Sequence, residues 1–116
     1  MDVQSADARV NQLILNGEAL AAFDEFYADD VVMQENSDPP FVGKAVNRAR
    51  ELEFFGSIEA FHGATLVAGA VNGATAFSQW SWDLTLKGVG RIAMNQVAVR
   101  TWKDGKVANE RFYYSK

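Results

Sequence analysis

The chain has 116 residues, 48% of them hydrophobic and 22% charged, and this length and composition suit one soluble globular domain that spans residues 1–116. The net charge of −4 argues against nucleic acid as a partner, and no apolar run approaches the ~20 residues that a membrane helix needs. The chain has no cysteine, which excludes disulfides and thiolate metal sites, and its first residues lack signal-peptide features, so we expect a cytoplasmic protein.

Helical periodicity dominates the chain up to about residue 57. It predicts three helices: the first opens at Ser5-Ala6-Asp7-Ala8 and ends at Asn16-Gly17, the second runs from Glu18 to about Tyr27, and the third from about Lys44 to Phe55. Between the last two helices the pattern predicts a short strand, Val31 to Glu35, and then a loop at Asn36 to Pro40. Two prolines in succession cannot join a helix interior or a central strand.

The second half of the chain reads as four long strands separated by turn signals. The predicted strands are Ser57 to Val71, Thr75 to Leu86, Arg91 to Trp102 and Lys106 to Tyr114. Turn signals follow the first three, at Asn72-Gly73, at Lys87 to Gly90 and at Lys103-Asp104-Gly105. Helices that are separate in sequence from an antiparallel meander predict an α+β fold, with the helices covering one face of the sheet.

Three segments of the chain carry a family resemblance. They are FYADDVVMQEN at residues 26–36, PFVGKA at residues 40–45 and VRTWKDGKVANERFYY at residues 99–114. With the order of elements, they resemble the nuclear transport factor 2-like superfamily, and within it the SnoaL-like group, over nearly the whole chain. The resemblance implies a cone-shaped, cystatin-like roll in which three N-terminal helices and a strongly curved antiparallel sheet enclose an apolar cavity. The superfamily includes ketosteroid isomerases, polyketide cyclases, limonene-epoxide-hydrolase-like enzymes and members without known activity, so fold does not decide function.

Glu35 is the candidate catalytic acid that this resemblance implies. In the ketosteroid isomerases a motif similar to ADDVVMQE carries the general base at its last position, which is Glu35 here. Desolvation at a cavity wall would raise the pKa of this carboxyl, whereas an ordinary strand end would simply face water. The isomerase tyrosine and aspartic acid that form the oxyanion hole match positions near Val10 and Ala98, which cannot donate, so steroid isomerisation by that machinery is disfavoured.

Strand alternation extends the candidate site to the last two strands. By resemblance, the inward face carries Met94, Gln96, Ala98, Arg100, Trp102, Glu110, Phe112 and Tyr114. A three-residue turn would pair Ala98 with Glu110 and Gln96 with Phe112, although a one-residue bulge would reverse the face. Arg100 and Glu110 could form an ion pair near the cavity rim, or only a cross-strand salt bridge of little energetic worth.

The resemblance and the alternation together define the predicted site residues. Glu35 would abstract a proton or activate water, and Gln96 and Tyr114 would polarise an oxygen. The predicted substrate-binding residues are Phe54, Trp82, Arg100, Trp102, Glu110 and Phe112. Trp82 shares a strand face with Trp80 and Leu84, which is typical of a core or interface but would also suit a flat aromatic ligand.

The remaining features leave two function classes open. The lone histidine, His62, could pair with Glu35 or be structural, and one histidine without cysteine makes a metal site improbable. The outward face, with Asn95, Val97, Val99, Thr101, Val107, Asn109 and Arg111, predicts a homodimer, since related proteins dimerise through this face. The protein is then either a cofactor-independent isomerase, cyclase or hydrolase acting on a small hydrophobic or aromatic molecule, or a non-catalytic ligand-binding or dimerisation domain with the same cavity.

Overall fold

The computed structural model describes residues 1–115 and confirms the predicted α+β class. Three helices and six strands occur in this part of the chain. They are α1 Val3–Leu15, α2 Ala19–Phe26, β1 Tyr27–Glu35, β2 Phe41–Val42, α3 Lys44–Gly56, β3 Ile58–Asn72, β4 Thr75–Leu86, β5 Gly90–Lys103 and β6 Lys106–Tyr114. Most element bounds agree with the sequence prediction to within two residues.

Two element starts differ from the prediction. Helix α1 begins before Ser5, because the Asp2 side chain caps it by accepting a 2.7 Å hydrogen bond from the Ser5 backbone N–H. Strand β1 begins at Tyr27 rather than at Val31, directly after α2. The Tyr27 ring is buried against Phe23, with ring centroids 4.7 Å apart, so this end of the strand belongs to the core.

The six strands form one mixed sheet in the order β2-β1-β6-β5-β4-β3, which is not closed. Strands β3 to β6 form the predicted antiparallel meander. Strand β1 was predicted without a partner, and the structure pairs it in parallel with β6, while β2 pairs antiparallel with β1. The expectation of a purely antiparallel sheet is therefore wrong for β1, which brings Glu35 beside Phe112.

The register between β5 and β6 also differs from the prediction. A two-residue turn at Asp104 and Gly105, both with positive φ (53° and 77°), replaces the expected three-residue turn. The pairs are Arg100 with Glu110, Ala98 with Phe112 and Gln96 with Tyr114, two residues away from the predicted pairs.

A bulge explains why the inward face was nevertheless predicted correctly for residues 96–102. The register shifts between Thr101 and Trp102, which pair with Asn109 and Val107, so β6 has an extra residue at Ala108. The extra residue turns Val107 inward, where it is fully buried in the core. Its predicted position on the outward face is therefore wrong.

None of the helices in residues 1–115 combines the length and hydrophobicity that a membrane crossing requires. The cytoplasmic location of the protein stays a prediction.

Candidate functional site

A pocket of about 930 Å³ lies between the three helices and the inner face of the sheet. This volume is at the upper end of the range for small-molecule sites. Its walls are mainly apolar and aromatic, including Val10, Phe23, Met33, Phe54, Trp80, Trp82, Leu84 and Phe112. The charged side chains on its walls are Glu18, Glu35, Arg50, Glu51, Glu53, Arg100 and Glu110.

All but one of the predicted site residues line this pocket. Glu35, Gln96, Tyr114, Phe54, Trp82, Arg100, Glu110 and Phe112 lie on its walls. Trp102 does not line it, because its side chain is buried in the hydrophobic core and its Nε1 donates to Asp7 Oδ1 at 3.0 Å. The structure thus assigns Trp102 a packing role and brings the other residues together.

The carboxylate of Glu35 is held by two neighbours. Its Oε1 lies 3.5 Å from Nη2 of Arg50, and the two side chains are only about a third exposed, 31% and 28%. Tyr114 is a second neighbour of Glu35 on this wall. Burial, and then the nearby Glu35 side chain, raises the pKa of Tyr114 to about 12, so the phenol stays protonated at neutral pH. Glu35 is therefore an oriented acid on the pocket wall.

Arg50 is itself fixed in place from helix α3. Its guanidinium lies 3.7 Å from the centroid of the Phe41 ring, and its Nη1 donates to Asn47 Oδ1 at 3.0 Å. Asn47 is fully buried and donates in turn to the backbone carbonyls of Phe41 and Gly43, at 3.0 and 2.9 Å. The segment PFVGKA thus supplies the loop and the start of α3, and together these orient Arg50, the partner of Glu35.

Glu51 is a pocket acid that the sequence reasoning missed. It lies one helical turn after Asn47 on α3 and lines the same pocket. Burial, followed by the negative charge of Glu110, raises the pKa of Glu51 to about 7. The sequence signal that could have identified Glu51 is its spacing from Asn47 and Phe54, which places all three on one face of α3.

A buried polar network forms another part of the wall, built around Arg100. Arg100 Nε donates to Glu110 Oε2 at 2.6 Å, and its Nη1 donates to Asn11 Oδ1 at 2.6 Å and to Asp7 Oδ1 at 3.3 Å. Arg100 and Glu110 are each 2% exposed. Arg100 and Glu110 thus form the predicted cross-strand ion pair, but its predicted position near the rim is wrong, because both side chains are buried.

Two further residues complete this network. The Tyr27 hydroxyl donates to Glu110 Oε2 at 2.7 Å, and Asn11 Nδ2 donates to Ser78 Oγ at 3.1 Å. Burial, and then the charge of Glu110, raises the pKa of Tyr27 well above its usual value. The carboxylates and the guanidinium are therefore hydrogen-bonded as well as paired, which a buried ion pair needs to be stable.

The tryptophans of β4 lie on the pocket wall. The Trp80 and Trp82 rings stack with centroids 5.1 Å apart and an interplanar angle of 21°. Trp80 pairs across the sheet with Gln96, and Gln96 with Tyr114, so one row of side chains leads from the indoles to the partner of Glu35. Trp82 Nε1 is buried and has no hydrogen-bond partner among residues 1–115.

His62 does not take part in this site. It is exposed on β3, its Nε2 lies 2.7 Å from Thr85 Oγ1, and the structure does not bring it to Glu35. Within the described residues there is no group of three or more His, Cys, Asp or Glu side chains that could hold a metal ion.

Comparison with known proteins identifies relatives of the whole fold. The family model described as a SnoaL-like domain matches residues 1–114. A Mesorhizobium loti structure provisionally assigned as a SnoaL-like polyketide cyclase is 27% identical, with a TM-score of 0.87, covering 98% of this chain and 100% of that one. No curated protein matches the chain.

Two more distant structures show the fold alone. A Xanthomonas campestris protein with a cystatin-like fold is 14% identical, with a TM-score of 0.84, and the match covers 100% of this chain and 92% of that one. An M. tuberculosis epoxide hydrolase of the LEH-like kind is 18% identical, with a TM-score of 0.76, over 96% of this chain and 84% of that one.

Proposed function

The chain belongs to the SnoaL-like family, and on that premise we propose that it is a cofactor-independent enzyme of the isomerase, cyclase or hydrolase kind that acts on a small hydrophobic molecule. The position of Glu35 carries the proposal. Its carboxylate lies on the wall of a largely apolar pocket, oriented by Arg50 and Tyr114. An acid that is positioned beside apolar walls is suited to accept a proton from a bound ligand.

The first step in this proposal is abstraction of a proton by Glu35 from a carbon next to a carbonyl group. Tyr114 is a neighbour of Glu35, so we assign its hydroxyl the positioning of the base rather than the polarisation of the substrate oxygen. Gln96 pairs directly with Tyr114 across the sheet, and its side-chain amide would donate to the carbonyl oxygen as negative charge develops there.

Glu51 would serve as the acid that gives its own proton to the enolate, and transfer of the proton from Glu35 to Glu51 through water then restores both groups. With a pKa of about 7, it is protonated in a large fraction of molecules at neutral pH. Glu35 contributes to this raised value through its charge, so the two carboxyl groups influence one another within one pocket. Two carboxyl groups in different environments are a common way to provide a base and an acid at the same pH.

A non-catalytic ligand-binding domain is the second candidate. The observation that favours it is that Glu35 already has two partners, Arg50 and Tyr114, as a structural acid would. In that case the pocket would bind the same class of hydrophobic molecule without changing it.

We further propose that the protein is a homodimer formed through the outer face of the sheet. The register places Phe77 beside Val99, and Val97 beside Tyr113, on this face. Phe77 is 40% and Tyr113 44% exposed, so the isolated chain presents apolar surface around the two valines. A partner of the same chain would cover that surface.

The function is tested in two stages. Thermal shift first identifies binders among small ketones, epoxides and aromatic polyketide mimics. Turnover of a binder is then compared between wild type, Glu35→Gln and the control Glu59→Gln, which changes an exposed acid outside the pocket. An enzyme that uses Glu35 as its base loses roughly 10²–10⁴-fold in rate in Glu35→Gln while still binding the compound. Unchanged turnover in Glu35→Gln refutes its role as the base, and binders without any turnover support the second candidate.

A further inference from the structure

We propose that the open edge of the sheet pairs with a second copy of the chain, β3 against β3, antiparallel and about a two-fold axis at Ala70. The two sheets would then continue into one another. The proposal does not rest on the catalytic one, because none of residues 67–72 lines the pocket. It is also distinct from the pairing of outer faces around Val97 and Val99, since it uses the backbone at the sheet edge.

The first observation is that this edge lacks charged side chains. Strand β3 is the last strand of the open sheet, and within residues 1–115 it pairs only with β4. An unpaired strand edge is a template for another strand, and soluble proteins usually protect it with charges. No Asp, Glu, Lys or Arg occurs between Glu59 and Asp83, although such residues make up 22% of the chain. The usual charged protection is therefore missing.

The second observation is the exposure of the C-terminal end of β3. Every residue from 67 to 72 is exposed, on both faces of the strand. Strand β4 beside it is different, because Ala76 and Ser78 are buried there. Val71, the partner of Ala76, is 40% exposed. This end of β3 is accessible to a second strand.

The third observation concerns the backbone groups that face the open edge, which belong to Gly69 and Val71. Asn72 and Thr75 flank a two-residue turn and form a hydrogen-bonded pair, and bonded and non-bonded pairs alternate along an antiparallel ladder. Gly69 and Val71 are therefore in non-bonded pairs, and their N–H and C=O groups point away from β4. Register shifts interrupt the rest of β3, so the regular edge segment is residues 68–72.

The occupant is a second copy because this edge segment is complementary to itself. In an antiparallel pair centred on Ala70, Gly69 lies opposite Val71 of the partner subunit, and the two residues exchange two backbone hydrogen bonds. The two-fold axis repeats the same pair on its other side. Each valine side chain has room beside a glycine, and only the small side chain of Ala70 meets its own copy at the axis.

The expected pairing is weak and depends on concentration. Residues 68–72 form a short contact, and small interfaces are typical of transient association. The segment carries no charge, so no like charges meet across the axis. We expect the edge to be unpaired at micromolar concentration and paired as the concentration approaches millimolar.

The test is a charge exchange at the axis. Sedimentation equilibrium from micromolar to millimolar concentration is measured for wild type, Ala70→Lys, Ala70→Glu and an equimolar mixture of these two variants. Ala70 is exposed, so both variants keep the core intact. Val89→Lys is the control, since it adds the same charge at an exposed position in the turn between β4 and β5.

The average mass of wild type and of Val89→Lys should at least double over this range. Each Ala70 variant alone should keep its low-concentration mass, because like charges would lie opposite one another at the axis. The mixture should associate again, because lysine then faces glutamate. Only a contact in which position 70 meets its own copy predicts this recovery.

Three results would overturn the proposal. They are a wild-type mass that stays constant up to millimolar concentration, wild-type association by both Ala70 variants alone, and a mixture that behaves like the separate variants. None of them affects the catalytic proposal, which is tested by turnover of Glu35→Gln.

Amide hydrogen exchange locates the contact without any substitution. In the wild type, exchange of the Gly69 and Val71 amides should slow about twofold once half of the chains are paired, because pairing bonds both groups. The amides of Ala68 and Ala70 bond to β4 at every concentration and serve as the internal control. Association that leaves exchange at Gly69 and Val71 unchanged would place the contact elsewhere and overturn the proposal.

Discussion

Replacing Arg100 by Met should cost more stability than any other single ion-pair deletion in the described chain. The substitution keeps most of the side-chain length but removes the guanidinium that bonds Glu110, Asn11 and Asp7. Arg100 and Glu110 are each only 2% exposed, so water cannot replace the lost partner. Removing one member of a buried pair costs about 3–5 kcal/mol, because the other charge stays buried and unpaired.

The effect is large compared with the stability of a domain of this size. A total free energy of unfolding of about 10 kcal/mol, the middle of the usual range, would lose about a third to a half, and the melting temperature should fall by about 12–20 °C. Urea denaturation followed by circular dichroism measures the loss. The double variant Arg100→Met with Glu110→Leu removes both charges and should recover part of it.

Arg48→Met is the matched control for this prediction. Arg48 forms a two-point pair with Asp24, at 2.8 and 3.1 Å, but the two side chains are 42% and 49% exposed. Exposed pairs contribute little, so this variant should unfold close to wild type. Equal losses for Arg48→Met and Arg100→Met would refute the argument that burial makes the Arg100 network important.

Three further predictions follow from other parts of the molecule. The pKa of Glu51 is about 7 in the folded protein against 4.5 for a free side chain, so its stabilising contribution is complete below pH 4.5 and is lost as the pH rises through 7. Urea denaturation across this pH range should show the free energy of unfolding of Glu51→Gln rising, relative to wild type, by up to about 3 kcal/mol as the pH increases. A difference between the two proteins that does not change with pH would contradict the raised pKa of Glu51. Asp2→Ala should lower the melting temperature by a few degrees while Asp2→Asn, which keeps the cap, should not. In sedimentation, Val97→Asp should be monomeric where wild type and the turn variant Val89→Asp are dimers, and a monomeric wild type would remove the dimer proposal.

Regular alternation in the central strands predicted which residues share a face of the sheet, and the family resemblance indicated which face is the inner one. In β4, Ala76, Ser78 and Trp80 are buried while Phe77 and Gln79 between them are exposed. A period of two residues is a local property, so it can be read from the sequence without knowing the partner strands. The helical periodicity of the N-terminal segments and the turn glycines are also local properties, so they too can be read from the sequence.

The β5–β6 register and the Arg100 network could not be read in this way. The register depends on a two-residue turn, whose Asp104 adopts a positive φ, and on the extra residue at Ala108. A three-residue turn without the extra residue would have kept the same inward face but paired different residues. The alternation of faces therefore does not determine the register. The network joins Asp7 to Arg100 across 93 residues of chain. No local pattern indicates that a helix carboxylate and a strand guanidinium will meet, so the pair could only be predicted as a contact within the sheet.

Glu51 shows why the candidate site was incomplete. A glutamate on a helix is usually exposed, and only the packing of α3 over the pocket turns this one inward, where burial, and then the charges of Glu110 and Glu35, raise its pKa. Glu35 was found through the family resemblance, but its partner Arg50 was not. The walls of the pocket were therefore largely predictable, while the electrostatic environment of its acids required the three-dimensional structure.

The central claim is that Glu35 accepts a proton from a bound ligand, and solvent exchange measures that event directly. In D₂O, nuclear magnetic resonance follows the replacement of the protons next to the carbonyl of 6-methoxy-1-tetralone by deuterium, with wild type, Glu35→Gln and the exposed control Glu59→Gln. We expect wild type and the control to accelerate the exchange, and Glu35→Gln to lose roughly 10²–10⁴-fold of that acceleration while its affinity for the ketone stays close to wild type. Equal exchange rates for wild type and Glu35→Gln, or a ketone that binds wild type without any accelerated exchange, would contradict the claim.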